Sequence, residues 1–372
     1  MTDNAFLRLA HEGVRRLRPY QPGKPLSELE RELGIRDAVK LASNENPLGP
    51  SPRALEAARA ALAEAGLYPD GNGFELRAAI AARHDVDPAC ITLGNGSNDV
   101  LDLVARVFLG PGREAVFSEH GFVVYWLSTL AANAVPRMVP AHDGSRGPRR
   151  GHDLEAMRAA VGEATGVVYV ANPNNPTGTW LRAAELEGFL AELPRHVIAV
   201  VDEAYFEYVE EPDYPDASRW LGRFPNLVVT RTFSKAHGLA ALRVGYALSH
   251  PDVADLLNRV RQPFNVNHPA QAAAVAALGD ADHVARSVAM NRAGMRQLEE
   301  GLRALGLHWI PSVGNFVTVD VGRPAAEVFQ ALLREGVIVR PVEEYGLPGH
   351  LRITVGTEAQ NRRALEALGR VL

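Results

Sequence analysis

The sequence of 372 residues has one cysteine and no long apolar run. Cys90 cannot form a disulfide within the chain, which is typical of proteins in a reducing compartment. No apolar stretch approaches the ~18 residues of a membrane-spanning helix. The first residues also lack the basic and apolar regions of a secretion signal. We therefore expect a cytoplasmic protein with no membrane partner.

An excess of basic residues is also missing. The net charge is −5 at pH 7 and the isoelectric point is near 6.2, whereas nucleic-acid binding favours a basic face. The 12 histidines show no metal-ligand spacing such as H-E-x-x-H. We therefore expect no nucleic-acid partner and no metal site. Hydrophobic residues make up 47% of the chain, enough for a large core, and the length favours two domains over one.

Alanine-rich helical stretches alternate with short β-branched strands, a pattern that predicts an α/β fold with a mostly parallel sheet. The candidate strands of this sheet are Cys90–Leu93, Ala115–Ser118, Ala134–Val139, Val167–Ala171, Val197–Val201, Leu227–Arg231 and Val244–Leu248. After Pro263 the pattern changes, and one long helix is predicted from about Ala270 to Leu305. Shorter strands follow at Trp309–Pro311, Phe316–Val319, Ile338–Arg340 and His350–Thr354.

The segment Thr232–Tyr246 reads T-F-S-K-A-H-G-L-A-A-L-R-V-G-Y. Among small and apolar neighbours Lys235 loses its proton readily, because desolvation disfavours the ammonium form. A neutral lysine amine forms a Schiff base with an aldehyde such as pyridoxal phosphate. Ser234 and Arg243 flank this lysine and are candidate phosphate ligands, one through its hydroxyl and one through its fixed charge.

Two upstream segments supply partners for such a lysine. Val197–Tyr205 predicts a buried strand that ends at Asp202, and ligands of open α/β sheets bind beyond these strand ends. An aspartate there can pair with the pyridinium nitrogen of pyridoxal phosphate and keep it protonated. Val167–Gly178 reads V-V-Y-V-A-N-P-N-N-P-T-G, a strand followed by a turn-rich loop. Asn175 and Tyr205 are candidates to hydrogen-bond the phenolic oxygen of the cofactor.

A glycine-containing turn, G-N-G-S-N-D at residues 94–99, precedes a predicted helix at Val100–Phe108. Two glycines permit a tight turn, so that the first amides of the helix point at one anion. It is not a dinucleotide fingerprint, because Asp99 stands where the third glycine would be. We interpret it as the binding site of the cofactor phosphate, with Ser97 and Asn98 contributing.

The order and spacing of these motifs resemble the aminotransferases of pyridoxal-phosphate fold type I, which carry N-P-T-G, D-x-x-Y and S-K in this order. The resemblance implies Lys235, Asp202 and Tyr205 as the catalytic residues. It also implies the α/β fold of that family, a mostly parallel seven-stranded central sheet in a large domain plus a smaller α+β domain. The expected division is residues 46–265 for the large domain, and residues 1–45 with 266–372 for the small one.

Further motifs are similar to the histidinol-phosphate aminotransferases among the class II enzymes, and they extend over essentially the whole chain. These motifs are L-R-P-Y-Q-P-G-K at 17–24, L-A-S-N-E-N-P-L-G at 41–49, Y-P-D-G at 68–71, L-G-N-G-S-N-D at 93–99 and L-R-I-T-V-G-T at 351–357. The resemblance implies transamination of L-histidinol phosphate with 2-oxoglutarate, giving imidazole-acetol phosphate and L-glutamate in histidine biosynthesis. The partners are then a small-molecule amine donor and a 2-oxo acid.

The same resemblance implies roles for three residues around the cofactor. Phe122 matches an aromatic residue that stacks on the pyridine ring, for which any π face suffices. Tyr68 matches a residue that reaches the cofactor phosphate of the opposite subunit, which implies a homodimer. His237 stands where the family more often has an aromatic residue, and we interpret it as a wall residue and not a general base.

Two arginines are implied in substrate binding. Arg352 matches the arginine that binds the carboxylate of amino acids throughout the larger family. Arg340, with Tyr20 beside it, matches a second arginine that binds the substrate phosphate, and Asn175 completes the predicted substrate site. A guanidinium is planar and suits two-point contact with either anion.

The sequence leaves three alternatives open. An aromatic or broad-range aminotransferase on the same scaffold would use Arg352 for the carboxylate. A decarboxylase of the threonine-phosphate type shares much of the motif set and also needs phosphate-binding arginines. A non-catalytic regulator domain is a third possibility, although no helix-turn-helix pattern precedes this region and Lys235 is intact.

Overall fold

The computed structural model describes residues 4, 6–20 and 23–372. Residues 21 and 22 of the amino-terminal P-Y-x-P-G-K motif, and residues 1–3 and 5 of the predicted small domain, lie outside the described residues. The strands of the described chain are β1 Val39–Lys40, β2 Ile91–Gly94, β3 Glu114–Ser118, β4 Val135–Val139, β5 Thr165–Ala171, β6 Ile198–Asp202, β7 Leu227–Thr232, β8 Gly245–Ser249, β9 His308–Ile310, β10 Phe316–Asp320, β11 Val337–Ile338, β12 Arg340–Pro341 and β13 His350–Thr354.

Helices cover both faces of the central sheet. The α-helices of the described residues are α1 Glu12–Arg16, α2 Leu26–Leu33, α3 Pro52–Ala61, α4 Phe74–His84, α5 Ser97–Phe108, α6 Val123–Ala131, α7 Leu154–Ala159, α8 Ala183–Glu192, α9 Pro251–Val260, α10 His268–Leu278, α11 Ala281–Ala304, α12 Ala325–Arg334 and α13 Glu358–Val371. Among the residues described, none of these helices has the length and apolar character needed to cross a membrane.

The central sheet has seven strands in the order β2-β8-β7-β6-β5-β3-β4. Strand β8 runs antiparallel to both of its neighbours, and the other pairs are parallel. All seven predicted strands are present, with ends shifted by at most two residues. The predicted α/β fold with a mostly parallel seven-stranded sheet is therefore confirmed.

The inner strands are buried on both faces, which explains their nearly continuous apolar sequence. In β5, Val168 and Val170 belong to a core shared with helices α8 and α10, while Val167 and Tyr169 belong to a core shared with α5 and α9. Successive side chains of a strand point to opposite faces of its sheet. Because helices cover both faces, β5 has no solvent-facing side on which polar residues would alternate with apolar ones.

The carboxyl-terminal part forms a smaller antiparallel sheet in the order β12-β13-β10-β9. Strand β11 pairs instead with β1, in a parallel two-stranded sheet. The single strand predicted at Ile338–Arg340 is therefore wrong, because the chain leaves one sheet at Ile338 and enters another at Arg340. The division of the chain into two domains at residues 46 and 265 stays a prediction.

The long helix predicted from about Ala270 to Leu305 is also wrong, since two helices occupy this region. Helix α10 ends at Leu278 and α11 begins at Ala281. The side chain of Asp280 accepts a hydrogen bond from the backbone N–H of His283 at 3.2 Å, and an aspartate in this position favours a new helix start. The sequence pair Gly279–Asp280 carried this signal, but the alanine-rich periodicity on both sides concealed it.

Gly238, three residues after Lys235, packs tightly against an amino-terminal loop. Its φ is +71°, and a Cβ added there would lie 2.1 Å from the carbonyl oxygen of Gly49. Gly306 has nearly the same φ, +70°, but no atom lies within 4 Å of an added Cβ. An alanine at Gly306 would add only backbone strain, whereas an alanine at Gly238 would add the same strain and a steric clash.

We expect Gly306→Ala to destabilise the fold by about 1–2 kcal/mol, the strain of a left-handed backbone. Gly238→Ala should destabilise it by about 1–3 kcal/mol more, because the added methyl group overpacks the loop contact. The two midpoints of thermal unfolding, compared with the parent protein, measure this difference. Equal shifts for the two variants would contradict the close approach.

Candidate active site

A cavity of about 420 Å³ lies beyond the carboxyl ends of β5, β6 and β7. Of the residues predicted from the sequence to form the site, all but Tyr68 and His237 line this cavity. They are Tyr20, Ser97, Asn98, Phe122, Asn175, Asp202, Tyr205, Ser234, Lys235, Arg243, Arg340 and Arg352. The fold thus brings together residues separated by more than 300 positions.

Lys235 lies on the loop that follows β7, and its Nζ donates a hydrogen bond to the backbone oxygen of Ser43 at 3.1 Å. The Nζ also lies 5.7 Å from the centre of the Tyr205 ring. Burial, and next the positive charge of Arg352, lower the pKa of Lys235 to about 7. A substantial fraction of the amine is therefore neutral and nucleophilic at neutral pH.

Asp202 is the last residue of β6, and two hydroxyl groups hold its carboxylate. Thr230 donates to Oδ1 and Tyr125 donates to Oδ2, both at 2.9 Å. Burial raises the pKa of Asp202, while these two hydrogen bonds oppose that shift. The Tyr125 ring is itself buried and stacks on Tyr169, with ring centres 4.6 Å apart.

Sequence reasoning missed both hydroxyl partners of this carboxylate. Thr230 lies directly across from Asp202 in the β6–β7 register, a relation that appears only once the two strands are paired. Tyr125 lies on the first turn of α6, three residues after Phe122. The spacing F-x-x-Y at a helix start was the available signal for it, because residues three apart lie on the same face of a helix.

Tyr205 is buried, and its hydroxyl accepts a hydrogen bond from Asn44 Nδ2 at 2.8 Å. Burial raises the pKa of Tyr205 to about 12, so the phenol stays protonated at neutral pH. Asn44 lies in the L-A-S-N-E-N-P motif, and its backbone N–H donates to Thr354 Oγ1 at 2.9 Å. The motif was recognised in the sequence, but no role was predicted for Asn44.

One end of the cavity is shaped to receive an anion. Helix α5 begins at Ser97, and a Cβ at Gly96 would lie only 2.7 Å from Arg243 Nη2. A Cβ at Gly245 would lie 2.4 Å from the Ser97 backbone nitrogen. The two glycines therefore let a guanidinium and a helix amino terminus converge. Such a terminus favours anions, and further hydroxyl and amide groups line this end, from Ser234 and Asn98.

Arg340 and Arg352 form the other end of the cavity. They lie directly opposite one another in the antiparallel pair β12–β13, and each is less than 10% exposed. Arg352 Nη1 donates to Asn175 Oδ1 at 2.5 Å, and Arg340 Nη2 donates to a carboxylate oxygen of Glu344 at the same distance. The Tyr20 ring lies over Arg340, with the guanidinium carbon 5.4 Å from the ring centre.

Of three further predicted residues, one lines the cavity and two lie outside it. Phe122 lines the cavity just before α6 and meets the Tyr125 ring edge-on. His237 does not line this cavity, in contrast to its interpretation as a wall residue; its Nε2 lies 3.6 Å from a carboxylate oxygen of Glu207. Tyr68 is 82% exposed and stacks on Phe264 with ring centres 4.7 Å apart.

A sequence model of the family "Aminotransferase class I and II" matches residues 36–368. The chain belongs to this family. Histidinol-phosphate aminotransferase 2 of Methylococcus capsulatus is 62% identical over 98% of this chain and 98% of its own length. Its counterpart in Pseudomonas aeruginosa is 62% identical over 99% of this chain and 98% of its own.

A solved histidinol-phosphate aminotransferase from Sinorhizobium meliloti, in complex with pyridoxal-5'-phosphate, resembles this aminotransferase in structure. The TM-score is 0.87 at 30% sequence identity, covering 97% of this chain and 96% of the other. The family, the fold class and the enzyme class predicted from the sequence are therefore confirmed.

Tyr125 and Tyr169 form a matched pair for testing how the Asp202 carboxylate is held. Both rings are fully buried and they stack on each other, but the Tyr169 hydroxyl has no hydrogen-bond partner within the described ranges. Tyr125→Phe leaves one buried carboxylate oxygen without its donor, so we expect a loss of about 1–3 kcal/mol in the free energy of unfolding.

Tyr169→Phe should leave the thermal midpoint unchanged or raise it, because no hydrogen bond is lost. Thermal unfolding followed by circular dichroism measures both variants against the parent enzyme. A midpoint for Tyr125→Phe at or above that of Tyr169→Phe would show that the hydrogen bond to Asp202 contributes nothing.

Proposed function

We propose that this chain is a pyridoxal-phosphate-dependent transaminase acting on L-histidinol phosphate, with 2-oxoglutarate as the amino acceptor. The products are imidazole-acetol phosphate and L-glutamate, in histidine biosynthesis. One observation carries the proposal: two buried guanidinium groups, Arg340 and Arg352, lie side by side in the cavity that contains Lys235. The names of the relatives at about 60% identity agree with it.

The residues present fit the cofactor. When bound, pyridoxal phosphate supplies an aldehyde for the substrate amine and a ring that withdraws electrons from the carbon bearing that amine. The anion end between α5 and Arg243 suits its phosphate, and Asp202 at the end of β6 suits its ring nitrogen. The remaining cofactor contacts that we propose are those of Ser97, Asn98, Phe122, Asn175, Tyr205 and Ser234.

Lys235 is the proton-transfer residue of the proposed reaction. With a pKa near 7, its Nζ would take a proton from the substrate carbon that bears the amine and deliver it to the carbon that carried the cofactor's aldehyde, and the same transfer would run in reverse with the 2-oxo acid. General acid–base catalysis works best when the catalytic pKa is close to the working pH. The backbone oxygen of Ser43 accepts a hydrogen bond from the Nζ at the cavity wall.

Asp202 and Tyr205 would hold the cofactor ring at two points, its nitrogen and its phenolic oxygen. Two donated hydroxyl hydrogen bonds fix the orientation of the Asp202 carboxylate, so it would accept a hydrogen bond from the protonated ring nitrogen without reorganising and keep that nitrogen protonated. The protonated phenol of Tyr205 would donate a hydrogen bond to the phenolic oxygen of the ring, and the Asn175 amide would donate a second. Asn175 Oδ1 already accepts from Arg352, which leaves its Nδ2 protons free to point at the cofactor.

The substrate phosphate binds between Arg340 and Arg352. Phosphate carries close to two negative charges at neutral pH, and each guanidinium offers it a planar pair of donors. Histidinol phosphate has no carboxylate, so both arginines serve its phosphate. An amino acid such as phenylalanine carries its only anion beside the amine and relies chiefly on Arg352.

We expect Arg340→Ala to lower kcat/KM for histidinol phosphate by about ten- to a hundredfold, the loss of one charge-assisted contact of roughly 1.5–3 kcal/mol. Phenylalanine turnover should change far less, while Arg352→Ala should damage both reactions. Steady-state kinetics with 2-oxoglutarate as acceptor give the four values. An unchanged value for histidinol phosphate in Arg340→Ala, or equal losses for both substrates, would favour the aromatic aminotransferase instead.

The enzyme works as a cytoplasmic homodimer in this proposal. Tyr68 is excluded from the cavity of its own chain, and it projects from the surface as part of an exposed aromatic stack with Phe264. A large exposed aromatic patch marks a surface that is covered by a partner. A second copy of the chain would bring Tyr68 to the phosphate end of the opposite cavity.

A mixing experiment tests this shared site. Lys235→Ala and Tyr68→Ala chains should each be inactive or nearly so alone, and mixing them should restore part of the activity. In hybrid dimers one of the two cavities receives an intact Lys235 from one chain and an intact Tyr68 from the other. Subunit exchange is verified with differently tagged chains. Exchange without any recovery, or an active monomer, would contradict the proposed role of Tyr68.

A further inference from the structure

Arg340 lies in the wall between two cavities. One is the active-site cavity, and the other is an open groove of about 850 Å³ bordered by α2 and α12. Glu344 lines the groove but not the active-site cavity, and its carboxylate reaches Arg340 at 2.5 Å. The Arg340 side chain is 10% exposed and that of Glu344 is 34% exposed. The cation is therefore fixed inside, and its carboxylate partner lies at the edge of solvent.

The ion pair between Arg340 and Glu344 compensates the buried charge of the guanidinium. A guanidinium removed from water needs a compensating negative charge, because a buried charge without a partner is costly. Glu344 supplies that charge when no substrate is present. A substrate phosphate arriving at Arg340 supplies the same kind of charge, so phosphate and carboxylate compete for one cation.

We propose that Glu344 is a specificity-determining residue of the active site, acting as a competing counter-ion for Arg340. The inference rests on the proposed binding of the substrate phosphate by Arg340. By holding Arg340 in the empty enzyme, Glu344 lowers the affinity for substrates with a distal phosphate and leaves substrates without one unaffected. It thereby sets the ratio in which one cavity accepts phosphorylated and unphosphorylated amines.

The position of the Glu344 side chain allows it to release Arg340 when a phosphate binds. It lies in a short 3-10 turn, Glu343–Tyr345, which ends at Gly346 with φ +74°. Its neighbour Glu343 lies in the same turn, is exposed, lines the same groove and forms no ion pair in the part of the chain that the structure describes. Glu343 is thus a matched control, with the same charge on the same turn and no contact to Arg340.

The test compares Glu344→Gln with Glu343→Gln in the cofactor-loaded enzyme. We expect Glu344→Gln to lower KM for histidinol phosphate, and the inhibition constant of inorganic phosphate, by about three- to fivefold, the usual strength of a partly exposed ion pair. KM for phenylalanine should stay within error. Glu343→Gln should leave all three values unchanged, and Glu344→Ala should act in the same direction as Glu344→Gln.

A double variant assigns the effect to the pair. In the Arg340→Ala background, Glu344→Gln should have no further effect on KM for histidinol phosphate. An effect that persists there, that is equal for phenylalanine, or that Glu343→Gln reproduces would overturn the inference. If Arg340→Ala is selective but Glu344→Gln is silent, only the role of Glu344 fails. If Arg340→Ala itself spares histidinol phosphate, the proposed function fails first.

Discussion

The buried guanidinium of Arg352 joins parts of the chain that are distant in sequence. From β13 it donates to Asn175 on the loop after β5 and to the backbone oxygen of Ala42 near the amino terminus. Its charge is also the second cause, after burial, of the low pKa of Lys235. One side chain therefore ties β13 to the loop after β5 and contributes to the low pKa of Lys235. Any change that moves β13 alters both.

The amino-terminal loop around residues 43–46 completes the site through its backbone and amide groups. The Ser43 oxygen accepts from Lys235, Asn44 donates to Tyr205, and Asn46 Nδ2 donates to the Ala236 oxygen at 2.9 Å. Each contact reaches a residue of the reactive segment or its immediate surroundings. The family motif L-A-S-N-E-N-P thus has a structural meaning: it encloses the lysine from the side that the central sheet leaves open.

Features that depend on a local sequence pattern could be predicted from the sequence. Features that depend on which strands pair, or on how a turn is oriented, could not. The seven strands were predictable because each is a short β-branched run between turn residues, and Lys235, Asp202 and Asn175 because they follow such runs. The helix break at Asp280 was missed because alanine periodicity continues on both sides of it. Thr230 and Glu344 were missed because their roles depend on a strand register and on the direction of a short turn.

The direct juxtaposition of Arg340 and Arg352 has a thermodynamic consequence for the fold. Like charges that face each other across an antiparallel pair weaken the pairing. The Glu344 carboxylate offsets the charge of Arg340 only in part, because it lies at the edge of solvent. An anion bound between the two arginines, as proposed for the substrate phosphate, would reduce that repulsion and favour the paired arrangement. Ligand binding and strand pairing would then be linked equilibria, and a saturating anionic ligand would stabilise the folded enzyme by RT ln(1 + [L]/Kd). In that proposal the substrate is also a ligand that stabilises the smaller sheet.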